Sequence, residues 1–151
     1  MSQENVELAR RWYGSLPDLR DANPDDDQAF LGRAFREYLN EDWELRLPAG
    51  YPEGEPVFRG REGVTQLVVM LRDVWSEWRF EPERFVDAGD RVVVFVRVVA
   101  KGGASGVPIT LEDAHVVTVR DGRMKSARVY RDRSEALEAV GLSEQDAHAD
   151  S

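Results

Sequence analysis

The sequence predicts an α+β fold in which amphipathic helices precede a mostly antiparallel sheet. In the first half of the chain, apolar residues recur at helical spacing. In residues 90–130, apolar and polar residues instead alternate along three runs that are separated by turn sequences containing glycine. Helices grouped before a series of antiparallel strands are typical of the α+β class.

Helical spacing predicts three helices before the sheet and one after it. The first spans residues 4–15, and the second follows an acidic segment, residues 16–27, and ends near Asn40. The third, residues 61–77, has the clearest amphipathic pattern, and residues 134–140 form a terminal helix.

Alternation predicts five strands. The first is a short half-buried strand around Trp43 and Leu45, which Pro48 ends. The other four lie in one block of the chain: residues 78–87, 91–101, 107–120 and 123–130. Asp121 and Gly122 form a strong hairpin signal between the last two strands.

The third strand of this block carries an internal histidine. Five side chains share its face by period-two alternation: Leu111, Asp113, His115, Val117 and Val119. An imidazole on an apolar face needs a partner, a ligand or a chemical role, and its pKa suits proton transfer near neutral pH. We therefore expect His115 to act as a general acid or base and Asp113 to orient it. The alternatives for His115 are a histidine that only lines a pocket and a structural histidine that is hydrogen-bonded inside the protein. The alternative for Asp113 is a solvated carboxylate near the strand end.

Composition excludes several classes of partner. The net charge is −9 and basic residues are scattered, so neither nucleic acid nor an anionic membrane surface is expected to bind. The chain has no cysteine and no apolar run long enough to span a bilayer, which favours a cytoplasmic protein.

The acidic residues 21–27 lack the glycine and glutamate of a calcium loop. His148 has no ligating neighbours, so no metal and no cofactor are expected.

Four segments carry a resemblance to a known family. They begin at Phe58 (FRGREGV), Val86 (VDAGDRV), His115 (HVVTVRDGRM) and Val129 (VYRDRSEAL). Together with the order of elements they resemble the SnoaL-like branch of the nuclear transport factor 2-like (NTF2-like) superfamily, which includes polyketide cyclases and ketosteroid isomerases. The resemblance implies a cone in which a curved sheet wraps around the N-terminal helices and a central pocket. It implies one domain, residues 1–142, followed by a flexible tail, residues 143–151.

Positions that carry chemistry in this family differ here. His115 stands where SnoaL-like cyclases have an acid/base aspartate. The place of the isomerases' proton-abstracting aspartate is Leu47, and that of their first-helix tyrosine is approximately Trp12. Val129 stands where the epoxide hydrolases have their last-strand aspartate. The resemblance therefore argues against steroid isomerase and epoxide hydrolase activity.

The resemblance also makes the inward faces of the strands candidates for contact with a ligand. The predicted pocket residues are Trp12, Trp43, Leu47, Trp75, Trp78, Val94, Val96, Val117 and Val129. Tryptophans at helical or strand spacing are also common in cores, which is the alternative for each of them.

The opposite face of the sheet carries Phe95, Arg97 and Val116. This face is too apolar for water, so these three residues are expected to form a homodimer interface. Cover by the C-terminal helix is the alternative.

The sequence thus predicts a pocket for an apolar small molecule. A cofactor-free isomerase, cyclase or dehydratase would act there on a carbonyl compound by proton transfer. The two alternatives are a protein that binds an apolar metabolite without catalysis and a dimerising interaction module.

Overall fold

The computed structural model describes residues 2–18, 24–48 and 56–145, and within them the chain forms four helices and six strands. The helices are α1 (Ser2–Ser15), α2 (Pro24–Glu37), α3 (Gly60–Val74) and α4 (Arg133–Ala139). The strands are β1 (Leu39–Arg46), β2 (Val57–Arg59), β3 (Trp75–Ala88), β4 (Arg91–Gly102), β5 (Pro108–Arg120) and β6 (Arg123–Tyr130). Residues 19–23 of the acidic segment and residues 146–151 of the predicted tail lie outside the described residues.

The six strands form one curved, unclosed sheet in the order β2-β1-β6-β5-β4-β3. Every neighbouring pair is antiparallel except β1 and β6, which run parallel. The predicted α+β class and mostly antiparallel sheet are therefore confirmed. The hairpin between β5 and β6 has positive φ at both Asp121 (53°) and Gly122 (76°), which matches the twist of a two-residue turn.

Alternation along β4 separates two hydrophobic layers. The inner face packs with α1 and α2, and its β4 members are almost completely buried: Val92, Val94, Val96, Val98 and Ala100. On the outer face, Val93, Ala114 and Val116 pack against Ala136 and Leu137 of α4. The inner layer is the larger one, and it surrounds the site described below.

Two helix ends differ from the prediction, and both helices end earlier. α2 stops at Glu37 because the chain turns into β1, where the Tyr38 carbonyl accepts a hydrogen bond from the Met124 amide. α3 stops at Val74 because Trp75 is already extended and pairs with Gly102. The apolar side chains beyond each helix end continued the pattern, so periodicity alone extended both helices too far.

Strand β2 was not predicted. It is three residues long and pairs with β1 at the edge of the sheet. Helix α3 begins directly after it, at Gly60, whose φ of +61° favours glycine.

The outer face of the sheet is partly covered within the chain. Val116 is 7% exposed because α4 lies over it, whereas Phe95 is half-buried and Arg97 is exposed. The alternative of cover by the C-terminal helix is thus realised at Val116, and the homodimer remains a prediction for the uncovered part. Among the described helices, none has the length and apolar composition that crossing a bilayer requires.

Candidate functional site

A cavity of about 240 Å³ lies between the N-terminal helices, α3 and the inner face of the sheet. Its wall is mostly aliphatic and aromatic, and all four tryptophans of the chain are part of it. The helices contribute Trp12, Tyr13, Phe30, Val64, Leu67, Val68, Met70 and Leu71, and Leu16 and Pro17 follow α1. The sheet and its connections contribute Trp43, Leu45, Leu47, Pro48, Trp75, Trp78, Phe80, Leu111, Asp113, His115, Ala127, Val129 and Arg131.

Most of the predicted pocket residues border this cavity. Trp12, Trp43, Leu47, Trp75, Trp78 and Val129 all do so. Val94, Val96 and Val117 do not, because they are fully buried in the inner core and make no part of the cavity wall. Helix α1 packs against β3 and β4, and this contact fills the space that those valines were expected to leave open.

The His115 imidazole is buried in the cavity wall, with 6% of the residue exposed. Its Nδ1 lies 2.6 Å from the hydroxyl oxygen of Tyr13, which reaches it from α1. Burial lowers the pKa of His115 from its ordinary value of 6.5 to about 4. Burial also raises the pKa of the Tyr13 phenol well above its ordinary value. Both groups are therefore neutral near neutral pH.

This neutrality determines the direction of the hydrogen bond. A neutral phenol has one proton to donate, and the Tyr13 hydroxyl group has no other hydrogen-bond partner among the described residues. The arrangement that satisfies the phenol has its O–H donating to Nδ1, so the histidine proton resides on Nε2. No described residue forms a hydrogen bond with Nε2. His115 thus retains one N–H donor that the protein does not use.

Aromatic rings surround this pair. Phe80 meets the imidazole edge-on at 5.9 Å, and Phe85 meets the Tyr13 ring at 6.0 Å. Trp78 meets Phe80 edge-on at 5.9 Å, and its buried indole Nε1 has no hydrogen-bond partner among the described residues. An apolar surrounding of this kind strengthens any hydrogen bond that a bound molecule makes with the site.

Asp113 lies two residues from His115 on the same face of β5 and borders the same cavity. The residue is 8% exposed, and its carboxyl group makes no hydrogen bond with any described residue. Burial raises the pKa of Asp113 above its ordinary value of 3.8, while the charges of Arg131 and Arg133 oppose this rise. The expected role of Asp113 as the group that orients His115 is not the observed arrangement, because Tyr13 makes that contact.

Two polar residues of the cavity wall, Tyr13 and Arg131, were missed by sequence reasoning. Tyr13 directly follows Trp12, which is the residue that the resemblance places near the family's first-helix tyrosine. An alignment of this helix with the family that is shifted by one residue would have indicated Tyr13 instead of Trp12. Arg131 follows the last strand in a charged segment, and nothing in the local pattern distinguishes it from its neighbours.

Metal-binding residues do not cluster in the described part of the chain. Nowhere in it do three His, Cys, Asp or Glu side chains come close enough together to hold a metal ion. The cavity offers instead a neutral imidazole donor, a buried carboxyl group and one guanidinium group.

Residues 28–127 match the family described as a SnoaL-like domain. No curated protein matches the sequence.

Solved structures share the architecture over nearly the whole chain. An NTF2-like protein of unknown function from Burkholderia pseudomallei is 20% identical, with a TM-score of 0.66 over 92% of this chain and 98% of its own. TerC, co-crystallized with polyporic acid, is 26% identical, with a TM-score of 0.66 over 91% and 98%. A protein from Jannaschia sp. that is named as a SnoaL-like polyketide cyclase is 18% identical, with a TM-score of 0.63 over 85% of each chain. The fold of these structures is the NTF2-like cone that the sequence predicted.

Proposed function

The chain belongs to the SnoaL-like family, and from this premise we propose that it binds a small apolar carbonyl compound and catalyses a cofactor-free proton transfer beside the carbonyl group. One observation carries the proposal. An otherwise apolar, aromatic cavity contains a neutral N–H donor held by Tyr13 and, on the same strand face, a buried carboxyl group without a hydrogen-bond partner. Perturbed titratable groups in one cavity are typical of functional sites.

The cavity restricts the ligand to a small ring system. Its volume of about 240 Å³ lies below the range of roughly 300–1,000 Å³ in which drug-sized ligands bind. Tryptophan and phenylalanine side chains in the wall favour flat, apolar molecules. A ligand of one or two fused rings meets both conditions.

His115 is suited to the carbonyl oxygen of such a ligand. A neutral imidazole donates through Nε2–H without contributing a charge, and Tyr13 holds the ring in the required tautomer. Negative charge develops on the carbonyl oxygen when a neighbouring carbon loses its proton. A donor that is positioned before the reaction stabilises this oxygen, and one such donor contributes about 100- to 1,000-fold in rate.

Asp113 is the group suited to move the proton. Its carboxylate would take a proton from the carbon next to the carbonyl. The C–H electron pair would then shift towards the oxygen that His115 contacts, forming an enol or enolate. Asp113 would return the proton to another position on the same molecule. Isomerisation, cyclisation and dehydration can share this first step, and it requires no cofactor.

The raised pKa of Asp113 predicts how the rate depends on pH. Only the ionised carboxylate can accept a proton, so the rate rises as the pH rises through the pKa of Asp113. Because burial raises that pKa, the rise occurs at a higher pH than for an ordinary aspartate.

The comparison with TerC supports a ligand-binding cavity in this fold. TerC was co-crystallized with polyporic acid and is 26% identical to this chain. We extend from it only the expectation that an organic molecule occupies the cavity.

Hydrogen exchange tests the proposal without knowledge of the natural substrate. β-Tetralone, a two-ring ketone, is incubated with the protein in heavy water, and loss of the signal of the protons beside its carbonyl is followed by proton NMR. The protein should accelerate this loss. Asp113→Asn should lower the enzymatic rate by about 100-fold or more, and His115→Phe by a similar factor. Glu112→Gln is the matched control, because Glu112 is the adjacent carboxylate on the exposed face of the same strand.

Each outcome has a distinct meaning when binding of β-tetralone is measured in parallel by calorimetry. Binding without accelerated exchange would support the binding-only alternative and contradict catalysis. An Asp113→Asn protein that exchanges at the normal rate would contradict the role of Asp113. Absence of binding by β-tetralone and by the naphthoquinones used below would contradict the proposed pocket.

A further inference from the structure

Arg131 is the only positively charged side chain among the described residues of the cavity wall. It follows the last residue of β6, and it is exposed to solvent while it borders the cavity. It forms no hydrogen bond and no ion pair with any described residue. Its charge nevertheless acts on Asp113, whose pKa it lowers.

Several arginines of this acidic chain are paired with carboxylates. Arg72 pairs with Asp27, at 2.7 Å, and Arg133 with Glu83, at 2.8 Å. The chain has 29 acidic and 20 basic residues, so carboxylate partners are abundant. An arginine that borders a cavity without such a partner is therefore placed to pair with something that enters the cavity.

The remaining titratable groups of the wall do not cancel this charge. Tyr13 and His115 are neutral because both are buried. Asp113 forms no ion pair with Arg131, and burial favours its neutral form. Arg133 lowers the pKa of Asp113 from outside the cavity wall, where Glu83 pairs with it. The described wall is thus positive when Asp113 is protonated and close to neutral when it is ionised.

We infer that the ligand carries an anionic oxygen group, a carboxylate or an ionised enol, that pairs with Arg131 while its rings occupy the aromatic part of the cavity. This inference rests on the proposed function and specifies its substrate class. A guanidinium group binds such oxygens through two parallel N–H donors, which also fixes the orientation of the rings. The carbonyl group would then lie deeper, towards His115.

A pair of two-ring compounds isolates the charge. Lawsone is a hydroxynaphthoquinone that is anionic at neutral pH, and its methyl ether is a neutral compound with the same rings and carbonyl groups. Their affinities are measured by calorimetry with wild type, Arg131→Gln and Arg131→Lys. Arg120→Gln is the matched control, since Arg120 is exposed and lies outside the cavity wall.

Wild type should prefer lawsone. Arg131→Gln should weaken lawsone binding by about tenfold and leave binding of the methyl ether unchanged. Arg131→Lys should show a smaller loss, because lysine retains the charge but not the paired donors. Arg120→Gln should bind both compounds like wild type.

A salt titration of wild type provides a second measurement that needs no variant. The affinity for lawsone should fall as the salt concentration rises, while that for the methyl ether should not. Equal binding of both compounds, or equal losses for both in Arg131→Gln, would overturn the anion inference and leave the pocket proposal intact. Failure of both quinones and of β-tetralone to bind would overturn the pocket proposal and the inference with it.

Discussion

At the scale of single residues, His115 links the cavity to the stability of the fold. Its imidazole is buried in the uncharged form, with a pKa of about 4, whereas an unfolded chain would have a value near 6.5. The folded state therefore binds fewer protons than the unfolded state between these values. The stability that the uncharged imidazole contributes is fully present above the pKa of His115 in the unfolded chain. It is lost as the pH falls through the pKa of His115 in the folded protein.

We therefore predict that replacement of His115 removes part of the acid sensitivity of the protein. In wild type, the free energy of unfolding should lose roughly 3 kcal/mol from this residue between neutral pH and pH 4. His115→Gln should lack this component. The measurement is urea unfolding at a series of pH values, and the quantity compared is the slope of stability against pH.

The control is His148→Gln, which removes the other histidine of the chain and should keep the wild-type slope. The pKa shift of Asp113 has the opposite effect on the pH dependence of stability. Because this pKa is raised, the protein loses stability as the pH rises through the pKa of Asp113. It is present in all three proteins and cancels in the comparison. Identical slopes for wild type and His115→Gln would contradict an uncharged, buried imidazole.

Alternation along one strand was sufficient to predict where His115 lies, because period two leaves only two faces. The hydrogen bond with Tyr13 could not be predicted in the same way. It joins residues 102 positions apart in the sequence, and its formation depends on the angle at which α1 crosses the sheet. Local patterns report which face a residue occupies, and the contact across the cavity depends on how helix and sheet pack.

At the scale of elements, the segment that begins at Phe58 has a physical explanation in the junction of β2 and α3. Gly60 adopts a positive φ of 61°, and Gly63 lies against the backbone of Phe58. A Cβ atom on Gly63 would lie 2.6 Å from the Phe58 carbonyl carbon, a distance that real contacts do not reach. The helix can approach the strand this closely only because position 63 has no side chain.

We predict that Gly63→Ala destabilises the protein by about 1–3 kcal/mol, because backbone must move to admit the methyl group. Gly32→Ala is the matched control: Gly32 lies within α2, and no atom would lie within 4 Å of an added Cβ. That change should be neutral or stabilise by up to about 1 kcal/mol, because alanine favours helix. Urea unfolding gives both values. Equal stabilities of the two variants would contradict the close contact at Gly63.

Element boundaries were the weaker part of the prediction, and the misplaced ends have a common cause. Tyr38 and Trp75 continue the apolar pattern of the preceding helix, yet each already belongs to the turn or strand that follows. Their backbone groups pair with β6 and β4, which are distant in sequence. Competition between a local helix and a distant strand partner is not visible in a local window.

At the scale of the whole molecule, the outer face of the sheet is shared between α4 and solvent. Helix α4 buries Val93, Ala114 and Val116, so the apolar surface available to a second copy is smaller than the alternation implied. The part of this face that α4 does not bury contains Arg97 and Phe95. The Arg133 guanidinium group lies over the Phe95 ring. The strands could be predicted to carry two apolar faces, but not which face a short terminal helix would cover.

A homodimer through this face must therefore use the uncovered part around Arg97. That side chain lies 3.9 Å from both Glu83 and Glu112, and Glu83 also pairs with Arg133. Arg97→Glu would place three carboxylates together on each copy, and like charges that face one another across an interface are destabilising. We predict that wild type is a dimer and that this variant is a monomer. Sedimentation equilibrium over a range of concentrations measures both masses.

Arg120→Glu makes the same change in net charge at another exposed position, at the end of β5, and should remain dimeric. Circular dichroism should show equal secondary structure in all three proteins. A monomeric wild type would contradict the dimer, and a dimeric Arg97→Glu protein would show that another surface forms it.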